Sequence, residues 1–549
     1  MALINNMQVP RIPLALARHQ ESLPLTPYRA APPPTVPPTV ISLKEMCSKF
    51  WLERIQYSLR RDMPKRQVFA VQKYLEQLPR ELRAMMVHNA LKAGGLHLRH
   101  GSRELAAVNR VLVLLTPDVP VLEPVYVTIP RPNPDDPTDW PLDIELLVYN
   151  GEGLRHLVLT MPPLMTDAVK RVFTDICRTC KQLRRVRLIN ASDEALTLLT
   201  RHCRLLTHLD VSGSAGVTDE GIGRVIVNLR WGGGEGAPVH LRHVDVGGTS
   251  VTQEGLVSLL ERVPELTSLG SIDAVEAIKL LDELSDGNAR ILLQEINIRC
   301  VTVNTLQVLR RVCPALNSVN AVINFAGVTV NELRLLSGLR HVRLTVREPY
   351  LLAPTALYEY SWAVGSQLMT LRLEGDVYWE ADLGLLAGQC PHLVELALPA
   401  VTVPAKDSLA ALTNPDSIAL ARLQVLELDC MTGVGPKAWA KDFTLVRQGL
   451  VAALRKCTRL QRLICRPTNL VENDLLQILA VNRMNNLQVL ELYNCVLGLS
   501  AARLMVDTCE NLHVMKGLRT WRGLTLHDLV LLRKHTRGHR RTAELKILP

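Results

Sequence analysis

Residues 203–221 read CRLLTHLDVSGSAGVTDEG, and residues 240–255 read HLRHVDVGGTSVTQEG. Both stretches contain the frame L-x-x-L-x-L (with Val in some leucine positions), followed by a turn and then by V-T-x-E-G. The frame recurs about fourteen times, with a mean period of about 27–28 residues, which is a length typical of solenoid repeats. A unit of this size buries its apolar face only by stacking on its neighbours. The sequence therefore predicts one stacked object rather than several globular domains.

Each copy of the frame predicts a short strand, then a turn, then a helix. The copies start at Leu154, Leu183, Leu206, Leu241, Leu266, Leu293, Leu316, Leu339, Leu368, Leu393, Leu423, Leu460, Leu487 and Leu512. Aromatic residues make up 4% of the chain and hydrophobic residues 47%. We therefore expect a core built mainly from aliphatic side chains.

Six of the twelve cysteines occupy one position of the repeat, three residues before the leucine that opens a strand. They are Cys180, Cys203, Cys313, Cys390, Cys457 and Cys509. Val263 fills the same position in another repeat, so the slot calls for a small apolar group at the end of a helix. Cys177 and Cys180 form a lone CxxC, which favours buried thiols over zinc or disulfide chemistry.

This cysteine slot, together with Val217-Thr-Asp-Glu-Gly221, resembles the cysteine-containing class of leucine-rich repeats, over about residues 154–517. The resemblance implies an α/β solenoid of about 14 strand–helix repeats, with a parallel sheet on the concave face and a small N-terminal α-helical module. We expect five regions: a Pro-rich disordered segment (1–40), a helical docking or capping module (41–100), an irregular connector (101–150), the solenoid (151–530) and a basic tail (531–549).

The N-terminal module contains a second recognisable pattern. Ser42-Leu43-Lys-Glu-Met46-Cys47-Ser-Lys-Phe50 resembles the elongin B/C-binding box, in which a capped helix presents a leucine and, one turn later, a small cysteine to an adaptor. The resemblance implies adaptor docking by Ser42, Leu43, Met46, Cys47 and Phe50, assisted by a downstream segment with Leu78, Pro79 and Leu82. Leucine-rich-repeat proteins with such a box resemble substrate receptors of cullin-RING ubiquitin ligases.

Two alternatives remain open for these helices. Leu78-Pro79-Arg-Glu-Leu82 also resembles the opening of an F-box, which would dock an F-box adaptor instead. The helices would otherwise only cap the open end of the solenoid, as terminal repeats must.

The third, fifth and seventh positions of the frame are expected to point away from the core, because side chains alternate along a strand. On this strand face the sequence predicts target contacts by Arg187, His208, Asp210, His243, Asp245, Arg299, Arg343, Arg372, Glu374, Glu427, Asp429, Arg466, Glu491 and Tyr493. Both charge signs occur, which favours a protein target over a phosphate backbone. Our hypothesis gives a basic target segment to Glu427, Asp429 and Glu491, and acidic groups to Arg343 and Arg372.

Other function classes lack a supporting pattern. No catalytic or phosphate-binding motif is present, so we expect a non-enzyme without cofactor or metal. His208 and His243 fall one repeat apart, but the spacing supplies no third ligand. No apolar run reaches about 18 residues and no export signal is recognisable, so we expect a location in the cytoplasm or the nucleus. The basic residues between Arg533 and Lys546 suit a solvated end better than nucleic acid.

Overall fold

A computed structural model describes most of the chain. The described residues are 46–48, 50–53, 65–94, 111–116, 118–133, 136, 138–231, 240–298, 301–323, 330–351, 354–378, 383–398, 420–429, 443–466, 470–538 and 545–547. Within them, sixteen strands form a single sheet in which each strand pairs with the next along the chain. Every pairing is parallel, as a repeated strand–crossover–strand unit requires.

The strands are β1 Val125–Thr128, β2 His156–Thr160, β3 Arg185–Ile189, β4 His208–Asp210, β5 His243–Asp245, β6 Ser268–Gly270, β7 Glu295–Ile298, β8 Ser318–Ile323, β9 His341–Leu351, β10 Thr370–Tyr378, β11 Glu395–Leu398, β12 Val425–Asp429, β13 Arg462–Arg466, β14 Val489–Leu492, β15 Val514–Lys516 and β16 Lys546–Ile547. The α-helices are Lys65–Glu76, Arg80–Gly94, Leu142–Asn150, Asp167–Thr179, Asp193–His202, Asp219–Trp231, Gln253–Arg262, Ala274–Leu284, Val303–Val312, Pro354–Val364, Leu383–Gln389, Phe443–Lys456, Glu472–Val481, Leu499–Thr508 and Leu526–Gly538.

The sheet register follows the leucine frame. His208 of β4 pairs with His243 of β5, and Leu209 pairs with Val244, so equivalent frame positions lie side by side. The fourth and sixth positions are buried in repeat after repeat, and their apolar side chains belong to one continuous core. Strands lie about 4.8 Å apart while packed helices need about 8–10 Å, so the strands take the inner, concave side. The predicted leucine-rich-repeat solenoid is confirmed.

The sheet begins earlier than the sequence predicts. The expected irregular connector contains β1, whose Val125 pairs with Leu157 of β2, and the helix Leu142–Asn150. That unit was missed because Val125 and Val127, rather than leucines, supply its inward side chains.

The sheet also ends later than predicted. The last helix runs to Gly538, past the expected boundary at residue 530, and Lys546–Ile547 adds β16 beside β15. Ile547 is buried, so this part of the basic tail is not a solvated end. These two terminal strands account for the difference between about 14 predicted and sixteen observed.

The cysteine slot is structural, as predicted. All six cysteines at this position are buried, and so is Val263. Cys203 lies at the end of the helix Asp193–His202, where its backbone N–H donates to the carbonyl of Leu199. Burial raises the pKa of the Cys313, Cys390 and Cys457 thiols to about 12.

We expect the slot cysteines to resist alkylation in the folded protein. With a pKa of about 12, the thiolate fraction at pH 8 is on the order of 10⁻⁴, and burial also blocks access. Half-buried Cys47 should react with iodoacetamide. Peptide mass spectrometry after brief labelling measures both, and all twelve cysteines should label in denaturant. Fast labelling of any slot cysteine in the folded protein would contradict this account.

At two junctions, an aspartate at the start of one helix binds the threonine that precedes the helix of the next repeat. Asp193, the first residue of its helix, accepts hydrogen bonds from the backbone N–H (2.8 Å) and hydroxyl (2.6 Å) of Thr218 in the following repeat. Asp219 accepts the same pair from Thr252, at 2.8 and 2.6 Å. A Cβ at Gly221 would overlap the Asp193 carboxylate, so glycine leaves room for this contact.

Candidate functional site

The strand face carries most of the residues predicted to bind a target. Strands β3–β5 carry Arg187, His208, Asp210, His243 and Asp245. Strands β9 and β10 carry Arg343, Arg372 and Glu374. Strands β12–β14 carry Glu427, Arg466 and Glu491, and Tyr493 directly follows β14. Arg299 and the side chain of Asp429 lie outside the described residues. The register places Arg343, Arg372 and Ala397 in one row, with Glu427 following. The fold therefore brings the predicted residues onto one surface.

Around β10–β13 the charges of the strand face bind one another. Arg372 forms ion pairs with Glu374, with Glu395 (3.1 Å) and with Glu427 (3.0 Å). Arg462 joins this group through Glu427, at 3.3 Å. Burial lowers the pKa of Arg372, but the hydrogen bond that Arg372 donates to Glu374 and the charge of Glu427 outweigh it and raise the pKa above its usual value. Arg372 is thus held by carboxylates of this chain.

The C-terminal part of the strand face is also internally paired. Glu491 is only 5% exposed, and its carboxylate accepts a hydrogen bond from Lys516 Nζ at 2.7 Å. Arg466 lies 3.9 Å from the same carboxylate and stacks over the Tyr493 ring at 4.7 Å. Glu427 and Glu491 therefore do not form the open acidic patch that the sequence predicts. The alternation of side chains along a strand predicts the face on which a residue lies. It does not predict which side chain of an adjacent strand that residue contacts.

The N-terminal part of the strand face has a different character. The rings of His208 and His243 stack with centroids 3.9 Å apart and planes 16° apart. Burial, the neighbouring His243 and the positive charge of Arg185 lower the pKa of His208 to about 4. Burial and Arg185 also lower the pKa of His156. These imidazoles are therefore neutral near pH 7.

Neither a metal nor a deep ligand cavity is indicated on this face. The described residues contain no group of three or more His, Cys, Asp or Glu side chains placed to hold a metal ion. A shallow depression of about 350 Å³ lies between His243, Glu295, His341 and Arg343. A smaller one of about 190 Å³ lies beside it and is lined by residues that include His208, Asp245 and Gly270. Both depressions are open to solvent.

The N-terminal helix exposes part of the predicted docking box. Residues 46–48 and 50–53 are helical, and Met46 and Phe50 are 55% and 59% exposed. Cys47 is half-buried. Ser42 and Leu43 lie outside the described residues.

The opposite side of that helix is anchored to the module. Ser48 is buried, and its hydroxyl accepts a hydrogen bond from the side-chain amide of Asn89 at 2.9 Å. Trp51 packs on the core and lies 5.7 Å from the Tyr74 ring. The helix is thus held by one side, while Met46 and Phe50 remain more than half exposed.

The downstream segment is divided between core and surface. Leu78 and Leu82 pack partly buried against the core, while Pro79 is exposed at the start of the helix Arg80–Gly94. Arg83 in that helix donates to Thr116 (2.6 Å) and forms a bidentate pair with Asp118 (2.9 and 2.6 Å). These hydrogen bonds lower the pKa of Asp118 to about 2. Arg83 therefore fastens the helical module to the start of the solenoid.

None of the helices in the described part of the chain is long and apolar enough to cross a membrane. No protein-family model matches the sequence, and no curated protein is significantly similar to it.

Similar solved structures are repeat proteins with little sequence identity. A leucine-rich-repeat protein of Leptospira interrogans is 13% identical, with a TM-score of 0.33 over 73% of this chain and 91% of that one. The Rad7–Elc1 complex of yeast is 14% identical, with a TM-score of 0.35 over 93% of this chain and 98% of that one. The TLR13–ssRNA13 complex is 14% identical, with a TM-score of 0.34 over 68% of this chain and 53% of that one. With such low TM-scores, these likenesses bear on neither partner nor function. The repeat, the register and the parallel sheet make the chain a leucine-rich-repeat solenoid.

Proposed function

We propose that this protein is a non-catalytic substrate receptor of a cullin-RING ubiquitin ligase. In this proposal the N-terminal helix docks an adaptor, with elongin B/C favoured over an F-box adaptor, and the strand face binds the target protein. The second candidate is a protein-binding scaffold that works without a ligase. An extended, polar strand face suits both candidates. They differ in whether the N-terminal helix docks an adaptor.

The exposure of Met46 and Phe50 carries the proposal. The two residues are four apart, so they lie on one side of the helix and form a continuous apolar strip. A helix that only capped the solenoid would turn its largest apolar side chains toward the core, as Trp51 does. The helix instead keeps an apolar side free while Ser48 and Trp51 hold the other side. An amphipathic helix laid into a groove of a partner uses anchors at this spacing.

Docking is tested by replacing the exposed strip. We expect Met46→Ser with Phe50→Ser to reduce co-purification of elongin C with the full-length protein at least tenfold. The reason is that two large apolar anchors, each contributing about 1.5–3 kcal/mol when buried, are lost from the interface. Leu43→Ala with Cys47→Ala, which changes the two signature positions of the box, should have the same effect.

The matched control is Leu476→Ser with Val481→Ser, since these residues are 55% and 58% exposed on a helix of the solenoid. This control should leave elongin C binding unchanged. Elongin C binding that survives both N-terminal double variants would overturn the docking assignment. If the wild-type protein captures neither elongin C nor an F-box adaptor, the scaffold function takes its place.

A further inference from the structure

One end of the strand face collects arginine side chains without carboxylate partners. Arg155, Arg184 and Arg242 occupy the second position of the frame, and the ladder bonds Arg184 N–H to the carbonyl of Arg155 at 2.9 Å. Arg185 lies next to them in the third position, between His156 and His208. Arg184, Arg185 and Arg242 are exposed. We name Arg155, His156, Arg184, Arg185, His208, Arg242 and His243 the basic strip.

The carboxylates nearby are engaged elsewhere. Asp210 pairs with Arg187 at 3.2 Å and accepts hydrogen bonds from Ser212 at 2.9 and 2.6 Å. Asp245 accepts from the backbone N–H of Gly247 at 2.9 Å. Among the described residues, no carboxylate forms an ion pair with Arg184, Arg185 or Arg242. This end therefore differs from β10–β13, where Arg372 and Arg462 form ion pairs with carboxylates of the strand face.

The positive charges of the arginines act on the neighbouring side chains of the strip. Burial and the charge of Arg184 lower the pKa of Arg155. Burial lowers the pKa of His243 as well; Glu295 opposes this effect, while Arg185 and Arg242 add to it. Like charges held together at a surface are unfavourable unless an anion offsets them. The strip is thus a place where an anionic group gains energy from several cations at once.

We infer that the basic strip binds an acidic, Asp/Glu-rich segment of the target polypeptide. Guanidinium groups bind carboxylates in a bidentate manner, and four arginines are available. The strip crosses β2 to β5, about 14 Å at the spacing of neighbouring strands, which an extended segment of about five residues covers. This inference rests on the proposed use of the strand face for target binding, but not on the adaptor.

A polypeptide fits better than a nucleic acid because acidic groups border the strip. Asp210 and Asp245 lie in the fifth position, on the same face, and Glu295 follows on β7. A phosphodiester chain longer than the strip would carry phosphates over these carboxylates. A polypeptide can donate its own backbone N–H groups to these carboxylates, which a phosphodiester chain cannot do.

The test measures binding of a fluorescein-labelled decaglutamate peptide to the full-length protein by fluorescence anisotropy. We expect Arg184→Glu with Arg185→Glu to weaken binding at least tenfold. The control Arg201→Glu with Arg262→Glu makes the same charge change at exposed positions on helices, and should alter affinity less than twofold.

Two further probes of the same length decide the class of partner. Decalysine should bind more weakly than decaglutamate by at least tenfold. If decathymidylate binds more tightly than decaglutamate, and the Arg184→Glu with Arg185→Glu variant loses that binding, the ligand of the strip is a nucleic acid and not an acidic polypeptide. Failure of decaglutamate to bind, or equal loss in both double variants, would overturn the inference. Both arginine double variants should still capture elongin C, whatever the peptide result. A failure of the acidic-peptide inference can therefore be distinguished from a failure of the docking proposal.

Discussion

The substitution Glu491→Lys is expected to destabilise the C-terminal repeats by about 3–5 kcal/mol, the range found when one partner of a buried ion pair is removed. The Glu491 carboxylate is 5% exposed and lies between Lys516 and Arg466. A lysine there would place three cations together, with the new one at a position nearly closed to water. Because a domain is stable by only about 5–15 kcal/mol, the loss should be visible as a clear drop in the urea midpoint followed by circular dichroism.

An exposed glutamate of the next repeat supplies the control. Glu510→Lys makes the same charge change and should shift stability by no more than about 0.5 kcal/mol. If Glu491→Lys unfolds at the wild-type midpoint, the carboxylate has no structural role and belongs to the target site after all. Conversely, if Glu491→Lys destabilises the protein as expected, a loss of target binding in the double variant Glu427→Lys with Glu491→Lys can result from unfolding. Such a loss would then not identify these glutamates as target contacts.

The parts of the fold that the sequence predicted depend on local spacing. Leu209 and Val211 are buried because the period of a strand is two, and this period is visible within six residues. Cys203 and Val263 share a slot because each ends a helix against the same core. The sequence predicted both features correctly because the strand period recurs in every copy of the frame and the slot recurs in seven of them.

The charge pattern could not be predicted in the same way. Arg372 meets Glu395 and Glu427, which lie one and two strands away and 23 and 55 residues along the chain. Their pairing depends on register, on loop lengths between repeats and on side-chain rotamers, none of which the frame specifies. The open cations Arg184 and Arg242 are not predicted because they stand in the second position of the frame, whereas the sequence assigns only the third, fifth and seventh positions to the strand face. The tryptophan and phenylalanine of the N-terminal helix illustrate the same limit, because only packing shows that Trp51 turns inward and Phe50 outward.

The substitution Gly221→Ala should destabilise the protein by about 2–4 kcal/mol, the opposite of what helix propensity predicts. Alanine in a helix is normally favoured over glycine by about 1 kcal/mol. Here the added Cβ would overlap the Asp193 carboxylate and expel it from its position. Thr218 then loses two hydrogen bonds to a charged acceptor, each contributing about 1.5–3 kcal/mol. Thermal or urea unfolding of the full chain measures the difference.

Gly223, in the same helix, provides the matched control, because a Cβ there meets nothing within 4 Å. Gly223→Ala should therefore stabilise the protein by about 0.5–1 kcal/mol. Asp193→Ala removes the carboxylate that the added methyl group would overlap. The double variant Asp193→Ala with Gly221→Ala should therefore lose little more stability than Asp193→Ala alone, a non-additivity expected of residues in contact. Equal stability of the Gly221→Ala and Gly223→Ala variants would show that the carboxylate moves aside freely. In that case Asp193 would contribute little to holding adjacent repeats together, and the T-D-x-G segment would serve only to start each helix.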